Sequence, residues 1–194
     1  MSVARIAVLT ILAAAVAAAP AAAQRARSRS GLWVDAGLGF GRLRLTCDGC
    51  RIDGINGGAV TITVGGSPSR YVHLGLEAQV WTGIDAGRHE QVRALAFVAQ
   101  WYPWGRSNGL FLRGGTGLAD GVVAPIDSTV ATVRGRGVVM SLSAGYDLSL
   151  SRRVALTIQA GDQIAALGDL VVNGSPADDT IGYISRLSLA ITIR

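Results

Sequence analysis

The sharpest chemical spacing in the chain is Cys47-Asp48-Gly49-Cys50. A Cys-x-x-Cys pair serves as a redox dithiol, as half of a zinc site, or as a disulfide staple. The redox role needs its first thiol at a helix N-terminus inside a βαβ unit, and no helical period surrounds this one. A zinc site needs two more ligands, and no third Cys and no nearby His supply them. A disulfide stapling the first long loop, in a tight ring, is the reading that an oxidising compartment favours.

Three weaker groups stand beside it. Gly37-Leu38-Gly39-Phe40-Gly41 imitates a dinucleotide fingerprint, but that motif must leave a strand and open a helix. These glycines alternate within a strand and read as filler for a narrow interior. His73 and Glu77, with Ser141 or Ser143, have the residue types of a hydrolase triad. His73 falls at the start of its strand, where a His satisfied by its neighbours is the plainer reading. Asp48, Asp53, Asp85, Glu90, Asp127, Asp169, Asp178 and Asp179 gather between strands. They lack calcium-loop spacing and read as solvated acids.

What must position these residues follows from composition and period. The 194 residues are 49% hydrophobic and 16% charged, with 26 glycines, which excludes intrinsic disorder. The 18 basic residues are all Arg, so no P-loop with its Lys is present. Met1 to Ala23 reads as a secretory signal: Arg5 leads, an uncharged apolar run follows, and Ala21-Ala22-Ala23 offers a cleavage site. The organisation expected is a signal peptide at 1–23, a short segment at 24–30 and one domain over 31–194.

That domain alternates with period two. In Val72 to Val80, one face is Val72, Leu74, Leu76, Ala78 and Val80, and the other is His73, Gly75, Glu77 and Gln79. Eight strands follow, at about 31–45, 58–66, 71–82, 92–103, 109–120, 136–150, 154–165 and 183–194. Short turns at 67–70, 104–108 and 151–153 alternate with longer loops at 46–57, 83–91, 121–135 and 166–182. This is the plan of an all-β, eight-stranded antiparallel up-and-down transmembrane β-barrel.

The faces say which solvent lies outside. One carries Leu, Val, Ile and Ala, which suit lipid. The other carries glycines with Asp35, His73, Glu77, Gln100, Arg113, Asp147, Gln159 and Arg186. Trp33 also falls on this inward face. Asp35, Glu77, Arg113, Asp147 and Arg186 are expected to form a lumen charge cluster, with Glu77 and Asp147 bonded to arginines such as Arg113 and Arg186. A buried charge must be paired, so this cluster would plug the barrel. Trp33, Tyr71, Trp101, Tyr102, Trp104, Phe111 and Tyr146 fall near the short-turn ends and read as one aromatic belt. Phe40, Trp81 and Tyr183 mark the other. No basic stripe interleaves with aromatics, so the net charge of +5 is no nucleic-acid signal.

The signal segment, the eight strands, Trp101-Tyr102-Pro103 and Gly109-Leu110-Phe111-Leu112-Arg113-Gly114-Gly115 together resemble small bacterial outer-membrane β-barrel proteins. The resemblance is to the eight-stranded OmpA or OmpX type and the outer membrane protein beta-barrel domain group. It implies a Gram-negative outer-membrane location and insertion by the barrel assembly machinery. Such chains usually end in an aromatic residue, whereas this one ends Ile193-Arg194.

The function expected is a structural, adhesive or interaction role through four long external loops, with a plugged, non-conducting lumen. The alternatives are a barrel enzyme acting on envelope lipids and a soluble exported lipocalin-like binding barrel. No cofactor, metal or nucleic acid is expected. The partners expected are outer-membrane lipids and, during insertion, the assembly machinery. N-terminal sequencing of the protein from membranes should read Gln24 first; a retained Met1 would refute the signal assignment.

Overall fold

The computed structural model describes residues 31–47, 50–85, 88–105, 109–125, 133–172 and 175–194. The expected signal peptide and the 24–30 segment lie outside them. Eight strands follow one another: β1 (Leu32–Cys47), β2 (Cys50–Gly66), β3 (Val72–Asp85), β4 (Arg88–Trp101), β5 (Leu110–Pro125), β6 (Val133–Ser149), β7 (Val154–Val172) and β8 (Ser175–Ile193). Each pairs antiparallel with the next, and β1 pairs with β8, so the sheet closes into a barrel without an edge.

The period-two pattern becomes two opposed surfaces. Leu38, Leu118, Met140 and Leu142 point outward and are each about two-thirds exposed. Asp35, Glu77, Arg113 and Asp147 point inward and are buried. In water such an exterior would drive association; against hydrocarbon it is matched.

The apolar exterior has a measurable height. Going up β4 from the terminal end, where β1 begins and β8 ends, the outward residues are Trp101, Ala99, Phe97 and Leu95, and then Arg93. Eight residues at ~3.3 Å each, tilted by ~40°, cover about 20 Å of depth. That is close to the ~25 Å apolar band of outer-membrane barrels. Two turns at the terminal end are tied by serines. Ser69 Oγ accepts from the Tyr71 and Val72 amides, both at 3.1 Å. Ser151 Oγ accepts from the Arg153 and Val154 amides at 3.2 and 3.1 Å.

Two sequence expectations are corrected here. The four long loops expected at 46–57, 83–91, 121–135 and 166–182 are strand in all their described residues; 48–49, 86–87, 126–132 and 173–174 lie outside the described residues. Above the membrane both faces are free to be polar, so alternation fades while the backbone ladder continues. Bulges let it do so: Leu43 pairs Ile55 and Leu45 pairs Ile52, and the extra residue on β2 is accommodated at Gly54, where φ is +76°.

The second correction concerns the aromatic belts. Trp33, Tyr102, Phe111 and Trp81 are buried inside the barrel, whereas Tyr71, Trp101, Trp104, Tyr146, Phe40 and Tyr183 face outward. Height along a strand and facing are separate coordinates. Trp33 shares parity with Asp35, Phe111 with Arg113 and Tyr102 with Gln100, so each turns in with its charged or polar companion. Glycine makes room for the rings: a Cβ on Gly145 would stand 2.3 Å from Phe111 Cζ and 2.6 Å from the Ile158 carbonyl. Gly145→Val should therefore cost about 1–3 kcal/mol, as overpacked cores do. Urea unfolding of the folded protein in detergent, with Gly114→Val on the outer face as control, measures it.

Candidate functional site: the lumen and the rim

Strand parity turns at least one polar residue from every strand into the barrel, where their side chains meet. Asp35 comes from β1, Thr63 from β2, Glu77 from β3 and Gln100 from β4. Arg113 comes from β5, Asp147 from β6, Thr157 from β7, and Thr192 and Arg186 from β8.

Arg113 is the centre. Its Nη1 donates to Glu77 Oε2 at 2.9 Å, while Nε and Nη2 donate to Gln100 Oε1 at 2.9 and 2.6 Å. Nη2 also lies 3.8 Å from Asp35 Oδ2. Glu77 further accepts from Thr63 Oγ1 at 3.3 Å and faces Arg186 Nη2 at 3.8 Å, and Arg186 donates to Gln79.

From Gln100 the chain of bonds turns back to its start. Gln100 Nε2 donates to the Tyr102 hydroxyl at 2.6 Å, and that hydroxyl donates to Asp147 Oδ2 at 2.7 Å. Thr157 Oγ1 donates to Asp147 Oδ1 at 2.6 Å, and the Thr157 and Thr192 hydroxyls lie 2.7 Å apart. Thr192 donates to Asp35 Oδ2 at 2.9 Å, beside Arg113 again.

The expected charge cluster thus meets in one place, with one pairing corrected. Asp147 is bonded not to Arg113 or Arg186 but to Arg194, together with Tyr102 and Thr157. Antiparallel closure brings the last residue of the chain beside β6, which no linear reading of spacing shows. Thr157 and Thr192 were also missed; their parity with Gln159 and Ser188 was the available signal.

Above and below this ring the lumen changes character. Toward the terminal end the Trp33 and His73 rings lie 5.2 Å apart, His73 and Tyr102 5.0 Å, and Tyr102 and Phe111 5.8 Å. Arg113 sits 5.5 Å from the Trp33 ring and 5.6 Å from the Phe111 ring, as a cation over aromatic faces. Toward the hairpin end, Leu43, Leu45, Ile55, Ala59, Trp81, Val92 and Ile184 pack together.

The hydrolase types do not assemble into a triad. His73 stacks within the aromatic column, and Glu77 serves Arg113 and Thr63. Ser143 Oγ accepts from Gln159 Nε2 at 2.8 Å and contacts the Arg113 carbonyl at 3.4 Å. Among the described residues no group of three His, Cys, Asp or Glu could hold a metal. Glu90, read as a solvated loop acid, is buried on β4. The other acids of that set have side chains outside the described residues. Cys47 and Cys50 are direct ladder partners closing the β1–β2 hairpin, not members of a loop, and their side chains likewise lie outside the described residues.

Removing Arg113 would leave Glu77 and Asp35 buried beside a lost cation. Arg113→Ala should destabilise the barrel by about 3–5 kcal/mol, the usual cost of breaking a buried pair from one side. Adding Glu77→Gln and Asp35→Asn should recover part of the loss. Urea midpoints of the three variants decide it, and an Arg113→Ala midpoint equal to wild type would show the ring to be unimportant.

No protein-family model and no curated protein matches the sequence. Among solved structures, Neisserial surface protein A is similar over 84% of this chain and 97% of its own, with TM-score 0.57 and 11% identity. The attachment invasion locus protein of Yersinia pestis, solved in complex with the heparin analogue sucrose octasulfate, is similar over 84% and 99%, with TM-score 0.55 and 11% identity. At that identity the likeness is one of fold. The chain has the architecture of the eight-stranded outer-membrane β-barrels, and its apolar girdle fits that architecture to a bilayer.

Proposed function

We propose that the protein is a membrane-anchored display barrel. Its lumen is closed, and its work is done by the strands that rise beyond the bilayer at the hairpin end, which faces the exterior. The observation that carries this reading is the ring contributed by all eight strands, capped by packed aromatics on one side and packed aliphatics on the other. Such an interior leaves no continuous aqueous path, and its paired charges resist hydration from either end.

The exterior wall supports an interaction role. β7 and β8 run 19 residues each, whereas β3 and β4 run 14 each. Five extra residues raise one side of the mouth by roughly 13 Å. A partner would meet a ladder-braced wall with a low side at β3–β4, and recognition by a braced wall pays little ordering entropy. The enzyme alternative lacks an assembled catalytic group among the described residues. The soluble-barrel alternative would put Leu38, Leu118 and Leu142 in water.

Planar-bilayer recording tests the closed lumen. Purified folded protein should give no steady unitary currents, whereas Arg113→Ala combined with Tyr102→Ala should admit ions. Reproducible conductance in the wild type would overturn the proposal.

A further inference from the structure

We propose that the outer face of β4, β5 and β6 holds a phosphorylated acyl lipid of the exterior leaflet. This rests on the membrane reading above and names the lipid chemistry that the barrel would select. Arg93, Asp120 and Arg136 form one hydrogen-bonded row across the three strands, all pointing outward. Two residues nearer the terminal end stands a row of Leu95, Leu118 and Val138, also outward and apolar. The residues between the rows, Ala94, Ala119 and Gly137, turn toward the lumen, so only backbone separates the two outward rows, and an open trough of about 680 Å³ lies along them.

The depth fits a headgroup. Arg93 stands about 20 Å above the Trp101 level, near the far edge of a ~25 Å apolar band. A phosphate at that height would meet two guanidinium groups, and its acyl chains would lie down the trough over leucine and valine. Arg136 touches Asp120 through Nε at 3.4 Å, and Arg93 donates Nε to Gln91 Oε1 at 2.8 Å. Both side chains are exposed, and each uses its inner nitrogen for the protein, which leaves the terminal pair for a bidentate oxyanion.

Two cations around one carboxylate leave the site positive. Two other outward polar groups are folded onto the protein: Arg42 lies across Gly54, and Asp162 accepts from Ser185 Oγ at 2.7 Å. On β4, β5 and β6 the arginine pair instead stands open over an apolar trough. A zwitterionic lipid has no use for the net positive charge of two cations around one carboxylate, and a soluble anion has no use for the trough.

Native mass spectrometry of the detergent-folded protein with diphosphoryl lipid A, phosphatidylcholine and inorganic phosphate tests the proposal. Lipid A should be retained and phosphatidylcholine released. Arg93→Gln with Arg136→Gln should weaken lipid A binding at least tenfold, while Arg152→Gln in the opposite turn should leave it unchanged. Asp120→Asn should tighten it, and Leu118→Trp, which fills the trough, should weaken it. Equal retention by the double Arg variant, or equal binding of phosphatidylcholine, would overturn the site. Displacement of lipid A by millimolar inorganic phosphate would overturn the acyl-lipid assignment in favour of a free-anion site. Each protein is also run on a gel before and after boiling. A retained mobility shift without selective lipid A binding rejects only this site, whereas absence of the shift in wild type rejects the barrel reading beneath it.

Discussion

The rest of the structure depends on one buried cation. Arg113 stands in a space enclosed by sheet and, beyond the sheet, by hydrocarbon, where an unpaired charge is prohibitively costly. It must therefore find Glu77, Gln100 and Asp35, and those residues sit on β3, β4 and β1. Satisfying a single guanidinium fixes the relative height of four strands. The onward bonds through Tyr102, Asp147, Thr157 and Thr192 fix the remaining side of the barrel. Apolar cores tolerate sliding because dispersion has little direction; a hydrogen-bonded ring does not. A one-residue slip in any strand would turn its ring member out into lipid.

Shape complementarity supplies what the ring does not. Eight strands give an interior just wide enough for side chains, so every large inward group needs a small one across from it. Phe111 occupies the space beside Gly145, Trp81 the space beside Gly57 and Gly83, and Trp33 the space beside Gly75. The glycines that imitate a nucleotide-binding motif on β1 belong to this same economy of volume. A Cβ on Gly37 or Gly39 would crowd the β8 backbone within 3.0 Å. Composition is thus not incidental: glycine is abundant because aromatic rings and guanidinium groups fill a cylinder of fixed radius.

This division explains which parts were legible in the chain. Parity was readable because lipid and lumen are opposite solvents, so Leu76 and Glu77 cannot exchange places. The turns at 67–70 and 151–153 were readable because serine ties them locally. The closure of Asp147 by Arg194 was not, since a bond between β6 and the C-terminal residue depends on stagger, and stagger leaves no mark on spacing. The aromatic belts were half legible. Position near a strand end gave the height of Trp33 and Trp101 alike, but only parity separated the inward ring from the outward one. Strand length beyond the membrane was illegible for the same reason that parity was legible below it. Once both faces are free to be wet, alternation carries no information, and Gly-, Asp- and Arg-bearing segments pair through backbone alone.

The persistence of pairing above the bilayer has a consequence for what the barrel presents. A long irregular loop binds by ordering itself and loses affinity to that entropy. Here β1–β2, β3–β4 and β7–β8 keep their ladders up to 48–49, 86–87 and 173–174, so most of the projecting chain is ordered beforehand. The ring that locks the strands below therefore also sets the height and spacing of side chains above, because each strand is one continuous ladder from turn to tip. A charge buried in the lumen governs the geometry of a surface many residues away without touching it. In this fold the interior ring is the fixture that holds the outer wall in register.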